Sequence, residues 1–204
     1  MGMGYFWAAF IGYLIGSINF GILVAAPRGV DLFSVGSGNP GATNVKRNMG
    51  AFWGNTVFIL DCLKGFSSVL LTQYLFQLEG VDLNWIAVFS MAGAILGHSF
   101  SVFLKFRGGK GVATTMGGLL AFMPLVLAVG VAVWLLLFFC TRVVALASIC
   151  FALSLPISAY FFYAAAQIYD IRFILCTVLA VLITLRHHGN IRRLVQGNEN
   201  RFSK

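Results

Sequence analysis

The stretch Val112-ATTMGGLLAFMPLVLAVGVAVWLLLFFC-Thr141 runs without a single charged residue. As one continuous helix it would be about 45 Å long, whereas the hydrocarbon core of a bilayer is roughly 30 Å thick. Within it, Pro124 lacks the amide hydrogen that a helix interior needs and disfavours helical geometry at Met123. The stretch therefore predicts two helical segments that meet near these two residues, the first too short to cross a membrane fully.

Five other apolar segments accompany this stretch, and only one of them contains charged residues. They are 5–27, 52–77, 83–104, 143–169 and 173–185. Backbone amides in lipid must find partners within their own segment, and the chain shows no barrel-like alternation, so each segment is expected to be a helix. We predict an all-α polytopic membrane protein with about seven transmembrane helical segments, the fourth of them short, in a single domain over residues 1–204.

Basic residues are concentrated in the connections on one side of these segments. The chain is only 10% charged, which excludes a soluble globule, yet it has 14 Lys and Arg against 6 Asp and Glu. Twelve of the 14 lie in alternate connections and the tail: Arg28, Lys46, Arg47, Lys105, Arg107, Lys110, Arg142, Arg186, Arg192, Arg193, Arg201 and Lys204. The positive-inside rule places these connections and the C-terminus in the cytoplasm and the N-terminus outside. Only a break within 112–141 brings the tail to that side.

The first polar segment, Ser34-VGSGNPGATNVK-Arg47, is rich in groups that bind anions. Its hydroxyl, amide and guanidinium groups are those of Ser37, Asn39, Thr43, Asn44 and Arg47. Its glycines match the spacing of a dinucleotide fingerprint, but a membrane helix rather than a β-strand comes before them, which argues against a nucleotide. A glycine-rich turn followed by Arg is typical of a phosphate or oxyanion site, with a flexible connector as the alternative.

The second polar segment, 97–114, contains the turn Gly108-Gly109-Lys110-Gly111 just before the short fourth helix. The free amide groups and the dipole of that helix would face an anion in the turn, with Lys110 as a point charge. A basic interfacial loop that binds lipid headgroups is the alternative.

The third polar segment, 186–199, follows the last apolar stretch. If the last helix continues into this segment, the i, i+3 spacing puts His187, Asn190 and Arg193 on one polar stripe. A positively charged tail that anchors the protein at the membrane surface is the alternative.

Asp61 and Lys64 lie one turn apart within the second predicted helix. Each costs about 2.5–3.5 kcal/mol near the bilayer centre, so we expect a structural ion pair or a contact with substrate. No metal site is expected, because the three histidines lack nearby carboxylates and no two cysteines have metal-binding spacing. These features leave open both an enzyme acting on phosphate-bearing substrates and a transporter or channel for an organic phosphate.

The three polar segments together resemble one family. The resemblance is carried by GSGNPGATNVKR at 36–47, GHSFSVFLKFRGGKGVAT at 97–114 and RHHGNIRRLVQGNE at 186–199, with Asp61-x-x-Lys64-Gly65 and Gly16-SINF-Gly21 as further matches. In them the chain is similar to the bacterial acyl-phosphate:glycerol-3-phosphate acyltransferases, the PlsY family. The resemblance implies a multi-pass enzyme of the bacterial inner membrane whose active site faces the cytoplasm. Such an enzyme transfers a fatty acyl group from acyl-phosphate to the 1-hydroxyl of glycerol 3-phosphate, giving lysophosphatidic acid and inorganic phosphate for phospholipid synthesis. We expect it to act as a monomer in the lipid bilayer, without a cofactor or a nucleic-acid partner.

The resemblance and the polar groups together imply roles for particular residues. The expected catalytic residues are Ser37, Arg47, His187 and Asn190. The expected substrate-binding residues are Asn39, Thr43, Asn44, Lys105, Gly108, Gly109, Lys110, Gly111 and Arg193. The expected structural residues are Asp61, Lys64 and Glu199. The proton of the attacking hydroxyl is expected to pass to the histidine or to a substrate phosphate. The serine is expected to donate a hydrogen bond or to accept the acyl group as a nucleophile. The sequence departs from the family pattern at Asn19, Ser101 and Arg107, where proline, proline and lysine are usual, and this puts only local loop geometry in question.

Overall fold

The computed structural model describes residues 2–164 and 170–202, and within them it is built from α-helices. The helices are α1 (Gly2–Ser17), α2 (Phe20–Ala25), α3 (Ala42–Met49), α4 (Ala51–Phe76), α5 (Leu83–Ser99), α6 (Val112–Phe122), α7 (Pro124–Thr141), α8 (Val144–Ala159), α9 (Ile171–Arg186) and α10 (His188–Val195). Short 3-10 turns at Ala26–Arg28 and Val102–Leu104 and a π-helical turn at Tyr160–Ala164 complete them. Residues 165–169 of the predicted sixth segment, and Lys204 of the basic tail, lie outside the described residues.

The predicted break in the long apolar stretch is confirmed. Helix α6 ends at Phe122 and α7 begins at Pro124, while Met123 between them has non-helical angles of φ −140° and ψ 67°. At 1.5 Å per residue, the 11 residues of α6 extend about 16 Å, roughly half of the hydrocarbon core. The fourth segment is therefore short, as its sequence predicts.

Among the described residues, four stretches are long and apolar enough to cross a membrane: Gly2–Arg28, Ala51–Phe76, Pro124–Thr141 and Val144–Tyr163. A fifth is added if α9 and α10, which bend by 60° at their junction, count as one span. The remaining apolar helices α5 and α6 are shorter. Helix α5 stops at Ser99 rather than at the predicted Leu104, because Phe100 turns out of helical geometry at φ −135° and ψ 62°. The count of seven crossings and their orientation stay predictions.

The helices fall into two compact units, Met1–Phe122 and Met123–Lys204, so the single domain over the whole chain also stays a prediction. In the N-terminal unit, α1 packs closely against α5, since a Cβ atom at Gly16 would collide with the backbone of Ala94. Small residues at such contacts let membrane helices approach closely. Tyr13 adds a hydrogen bond from its hydroxyl to the carbonyl of Phe100, at 2.8 Å. These contacts hold the end of α5, where the second polar segment begins.

The C-terminal unit is formed by α7 to α10, with α8 packed against both α7 and α9. The indole Nε1 of Trp134 donates to the hydroxyl of Ser148 at 3.2 Å, which joins α7 to α8. At the start of α9, Asp170 accepts from the backbone amide of Arg172 at 2.8 Å. The side-chain hydrogen bond from Arg172 also lowers the pKa of this Asp170 carboxyl. The chain end returns to this unit, where the amide of Phe202 donates to the carbonyl of Arg142 at 3.0 Å.

Candidate active site

The first polar segment is organised around the buried side chain of Asn44 in α3, which is 2% exposed. Its Nδ2 donates to the carbonyls of Leu32 at 3.1 Å and Val35 at 3.0 Å. Its Oδ1 accepts from the backbone amide of Ser37 at 3.0 Å and from Nδ2 of Asn48 at 3.1 Å. A side-chain amide has two donor hydrogens and two acceptor lone pairs, and the protein itself occupies all four here. The amide thus fixes the loop that carries Ser37.

The loop around Ser37 turns on two glycines with left-handed backbone angles. Gly36 and Gly38 have φ of 57° and 65°, a region that residues with a Cβ atom rarely adopt. Ser37 between them is half-buried. Arg47 lies in the last turn of α3, three residues after Asn44, and is also half-buried. The segment therefore presents a hydroxyl and a guanidinium from one short, internally braced stretch.

The second polar segment folds back onto the ends of α1 and α5. The hydroxyl of Ser101 donates to the carbonyl of Ser17 at 2.6 Å, and Ser101 also pairs with Arg107 in an isolated bridge. Between them, Lys105 and Phe106 have positive φ of 52° and 60°, conformations that are uncommon for residues other than glycine. The loop is thus held in an unusual shape just before the glycine turn, and Lys105 is exposed on it.

The two polar loops of the N-terminal unit lie against each other. Nδ2 of Asn39 donates to the carbonyl of Gly108 at 3.4 Å. The guanidinium of Arg107 stacks 3.8 Å from the ring centroid of Phe33, a cation–π arrangement. The structure therefore brings the Ser37 loop and the Gly108–Gly111 turn together, as a shared phosphate site requires. Thr43 of the first segment is half-buried in the first turn of α3, and Lys110 of the second is half-buried at the turn.

A buried ion pair lies beneath these loops. Nζ of Lys64 is 2.9 Å from Oδ1 of Asp61, so the two charges pair, as their position in an apolar helix predicts. Nζ also donates to the carbonyl of Ile18 at 2.6 Å. Sequence reasoning missed the third member of the group: Nδ1 of His98 is 3.6 Å from the same Asp61 oxygen. The sequence feature that could have indicated His98 is its position at the end of α5, directly before the basic loop.

The third polar segment departs from its sequence expectation. The last helix does not continue straight through it, because α9 ends at Arg186, His187 has non-helical angles, and α10 leaves at 60°. Asn190 and Arg193 nevertheless share a face of α10. Nδ2 of Asn190 donates to Oε1 of Glu199 at 2.9 Å, and Nε of Arg193 donates to Oε2 at 2.8 Å. One buried carboxylate thus holds two of the three side chains of the predicted polar stripe, Asn190 and Arg193.

The geometry at His187 assigns its two ring nitrogens. Nδ1 lies 2.8 Å from the carbonyl oxygen of Ile183. A carbonyl only accepts hydrogen bonds, so Nδ1 carries the hydrogen and Nε2 is the basic nitrogen of the neutral ring. The ring is 3% exposed and held in place at the bend between α9 and α10. The contact of Nδ1 with Ile183 therefore fixes the orientation of the ring.

The candidate residues therefore form two groups, each within its own unit. Ser37, Asn39, Thr43, Asn44, Arg47, Asp61, Lys64, Lys105 and the residues of the glycine turn belong to the N-terminal unit. His187, Asn190, Arg193 and Glu199 belong to the C-terminal unit. In the part of the chain that the structure describes, no three His, Cys, Asp or Glu side chains are grouped so as to hold a metal ion.

Fold and site define an integral membrane protein of apolar helices whose polar loops carry hydroxyl, amide and basic groups, the kinds of group that bind phosphate in other proteins. The profile of the family described as glycerol-3-phosphate acyltransferase matches residues 6–197, and the chain belongs to that family. A glycerol-3-phosphate acyltransferase of Aquifex aeolicus is 44% identical over 191 residues, which are 93% of this chain and 95% of that protein. One of Geobacter sulfurreducens is 40% identical over 192 residues, 94% of each.

Two solved structures have a similar fold. The crystal structure of PlsY, described as an integral membrane glycerol 3-phosphate acyltransferase in its glycerol 3-phosphate form, superposes with a TM-score of 0.87 at 40% identity. The match covers 98% of this chain and 96% of that one. The lysophosphatidic acid form of the same protein gives a TM-score of 0.84 at 40% identity, with 98% and 95% covered. The similarity therefore extends over nearly the whole chain.

Proposed function

We propose that this chain transfers a fatty acyl group from acyl-phosphate to the 1-hydroxyl of glycerol 3-phosphate and releases lysophosphatidic acid and inorganic phosphate. The observation that carries the proposal is the fold match, over 98% of the chain, to an acyltransferase solved in its glycerol 3-phosphate form. The acyl-phosphate donor is inferred from the sequence motifs. Since both proposed substrates carry phosphate and one carries a long apolar chain, basic loops at the end of membrane helices suit both of them.

The chemical step needs little activation of the donor, because phosphate is a good leaving group. The hydroxyl oxygen of glycerol 3-phosphate attacks the acyl carbonyl carbon, the bond from that carbon to the phosphate oxygen breaks, and phosphate leaves with the electron pair. The hydroxyl proton passes to Nε2 of His187 or to a substrate phosphate. The contact of Nδ1 with Ile183 supports the histidine, because it leaves Nε2 as the basic nitrogen.

The remaining work is to hold two anionic substrates in register and to stabilise the negative charge that develops at the carbonyl oxygen. We assign this role to Arg47, Lys105 and Lys110, with Arg193 and Asn190 from α10. Thr43 and Asn39 supply further polar groups of the first loop. Glu199 acts structurally by holding the α10 pair, and Asp61 and Lys64 act structurally beneath the loops.

Ser37 and Asn44 form a functional pair in this proposal. The serine donates a hydrogen bond rather than accepting the acyl group, since no residue directly beside it in the sequence can act as a base. Asn44 contributes by fixing the backbone of Ser37, because its own amide is fully used within the protein. An acyl-Ser37 adduct trapped with labelled acyl-phosphate would overturn the donor role.

We further propose that the chain is a single functional domain with seven crossings in the bacterial inner membrane, active as a monomer with its site on the cytoplasmic side. Twelve of the 14 basic residues support this side by the positive-inside rule. The break at Met123 supports an odd number of crossings, because the short α6 and the longer α7 then count as separate segments.

The donor is tested directly with purified protein in detergent. The proposal expects lysophosphatidic acid, identified by mass, from glycerol 3-phosphate and acyl-phosphate, and none when acyl-coenzyme A with the same chain replaces acyl-phosphate. Product from the thioester but not from acyl-phosphate would contradict the proposed donor while leaving the acyltransferase family membership unchanged.

A further inference from the structure

His98 links the buried ion pair to the glycine turn. Nδ1 on one side of its ring is 3.6 Å from Oδ1 of Asp61. The opposite side, at Nε2, faces Gly109, where a Cβ atom would collide with the ring. The backbone amide of Gly109 also donates to the carbonyl of His98 at 3.0 Å. Gly109 of the turn therefore contacts both the ring and the backbone of His98.

The ion pair in turn is anchored to the rest of the N-terminal unit. Asp61, Lys64 and His98 are 2%, 3% and 4% exposed. Lys64 donates to the carbonyl of Ile18 at the end of α1, Asp61 and Lys64 belong to α4, and His98 is in the last turn of α5. Three helix positions thus converge on one buried polar group directly beneath the loop.

Gly108 and Gly109 of the turn lack room for a side chain for different reasons. A Cβ atom at Gly108 would collide with backbone, namely the carbonyl of His98 and the neighbouring atoms of Ser99. A Cβ atom at Gly109 would collide only with the imidazole of His98 among its nearest atoms. The absence of a side chain at Gly109 is therefore explained by the histidine ring, without any requirement from a substrate.

We propose that His98 is a positioning residue: held by the Asp61–Lys64 pair on one side, its imidazole sets the position of Gly109 and so of the glycine turn, to which we assign the phosphate of glycerol 3-phosphate. The inference rests on the proposed function and adds a residue that touches no substrate. It implies that disturbing the ring or its anchor weakens binding of glycerol 3-phosphate more than it slows the acyl transfer step.

A double-mutant cycle tests the ring contact. The variants are His98→Asn, Gly109→Ala and the two combined; asparagine keeps an amide near Asp61 but lacks the far side of the ring. We expect Gly109→Ala to raise the KM for glycerol 3-phosphate about tenfold or more, and the double variant to lie within about twofold of His98→Asn alone. The matched control is Gly108→Ala, whose clash is with backbone, so His98→Asn should not relieve it.

The outcomes separate the alternatives. A double variant that shows the product of the two single effects, as the Gly108 control should, would overturn the proposal, because Gly109 would then serve the substrate directly. If Gly109→Ala does not accumulate as folded protein, recovery of folded protein by His98→Asn supports the ring contact, and failure to recover it counts against the contact. A wild-type protein without transfer activity would instead refute the proposed function.

A second measurement tests the anchor. Asp61→Asn keeps the shape of the side chain but removes the charge that faces His98 and Lys64, so the KM for glycerol 3-phosphate should rise at least about fivefold with kcat changing less. The control is Ser90→Ala, since the Ser90 hydroxyl joins α5 to α4 through the carbonyl of Ser68 at 2.8 Å but lies elsewhere along the helices. Asp61→Asn that lowers thermal stability while leaving this KM unchanged would reduce the pair to a purely structural role.

Discussion

Asn44 shows how one buried amide fixes the shape of a functional loop. The sequence singled it out as a polar group beside Ser37, but its four hydrogen bonds to the protein depend on backbone positions of Leu32 and Val35 that no spacing rule supplies. Residue types at the site were therefore predictable, because phosphate chemistry requires them. Which of these residues contact substrate and which hold the loop in shape was not predictable from the sequence.

Replacing Asn44 by Ala leaves the amide of Ser37 and the carbonyls of Leu32 and Val35 without their partner. Each buried group left unsatisfied costs about 1–3 kcal/mol, so we expect lower thermal stability together with a marked loss of kcat. Asn48→Ala is the control, because it removes a donor to the same side-chain oxygen and to the backbone carbonyl of Asn44 but leaves the contacts of Asn44 with Leu32, Val35 and Ser37 in place. Full activity in Asn44→Ala at unchanged stability would contradict the bracing role.

His187 carries the prediction about proton transfer. If Nε2 takes the hydroxyl proton, His187→Ala should lower kcat by about 10²- to 10⁴-fold, the usual contribution of general acid–base catalysis. The variant protein should still bind both substrates, which is measured by their retained protection against thermal unfolding. An unchanged kcat would leave a substrate phosphate as the base.

Among the helices, α10 is the one whose direction could not be predicted from the sequence. The break before Pro124 was predictable because a proline acts on its own neighbours. The 60° turn at His187 was not, because the orientation of α10 depends on a contact to Glu199, six residues after Arg193 and beyond the helix. Helix periodicity carries no information about such a contact.

Glu199 is expected to hold α10 in place. Glu199→Ala removes the shared partner of Asn190 and Arg193, and hydrogen bonds to charged groups contribute about 1.5–3 kcal/mol. We expect reduced thermal stability and loss of acyl transfer. Glu199→Gln should be intermediate, because its amide oxygen still accepts from one of the two donors.

The control for this pair is Arg201→Ala, an exposed change two residues further along the tail. It should leave both the unfolding temperature and the activity near those of the parent protein. Equal behaviour of Glu199→Ala and Arg201→Ala would show that the carboxylate does not support α10.

At the scale of the whole molecule, the uneven distribution of charge in an apolar chain is the main feature that sequence could interpret. The long uncharged stretches predicted a membrane protein, and the distribution of the 14 basic residues, against 6 acidic ones, predicted that one side is basic. The number of crossings was not predictable, because apolar composition alone does not say whether a helix of 17 residues, such as α5, or of 11 residues, such as α6, crosses the membrane. The side of the membrane on which the C-terminus lies therefore needs its own measurement.

Orientation is tested with reporters at the C-terminus in bacterial cells. A cytoplasmic C-terminus predicts a fluorescent green fluorescent protein fusion and an inactive alkaline phosphatase fusion, because the phosphatase needs an oxidising compartment to form its disulfides. An active phosphatase fusion with a dark fluorescent fusion would reverse the orientation and place the basic loops outside.

The central claim is that this chain joins an acyl group from acyl-phosphate to glycerol 3-phosphate. The most direct test is the release of inorganic phosphate from acyl-phosphate by the purified protein, with Arg47→Ala as the inactive control. We expect release only when glycerol 3-phosphate is present, in step with the formation of lysophosphatidic acid. No release, together with exchange of glycerol 3-phosphate across vesicles that contain the protein, would contradict it and identify a transporter instead.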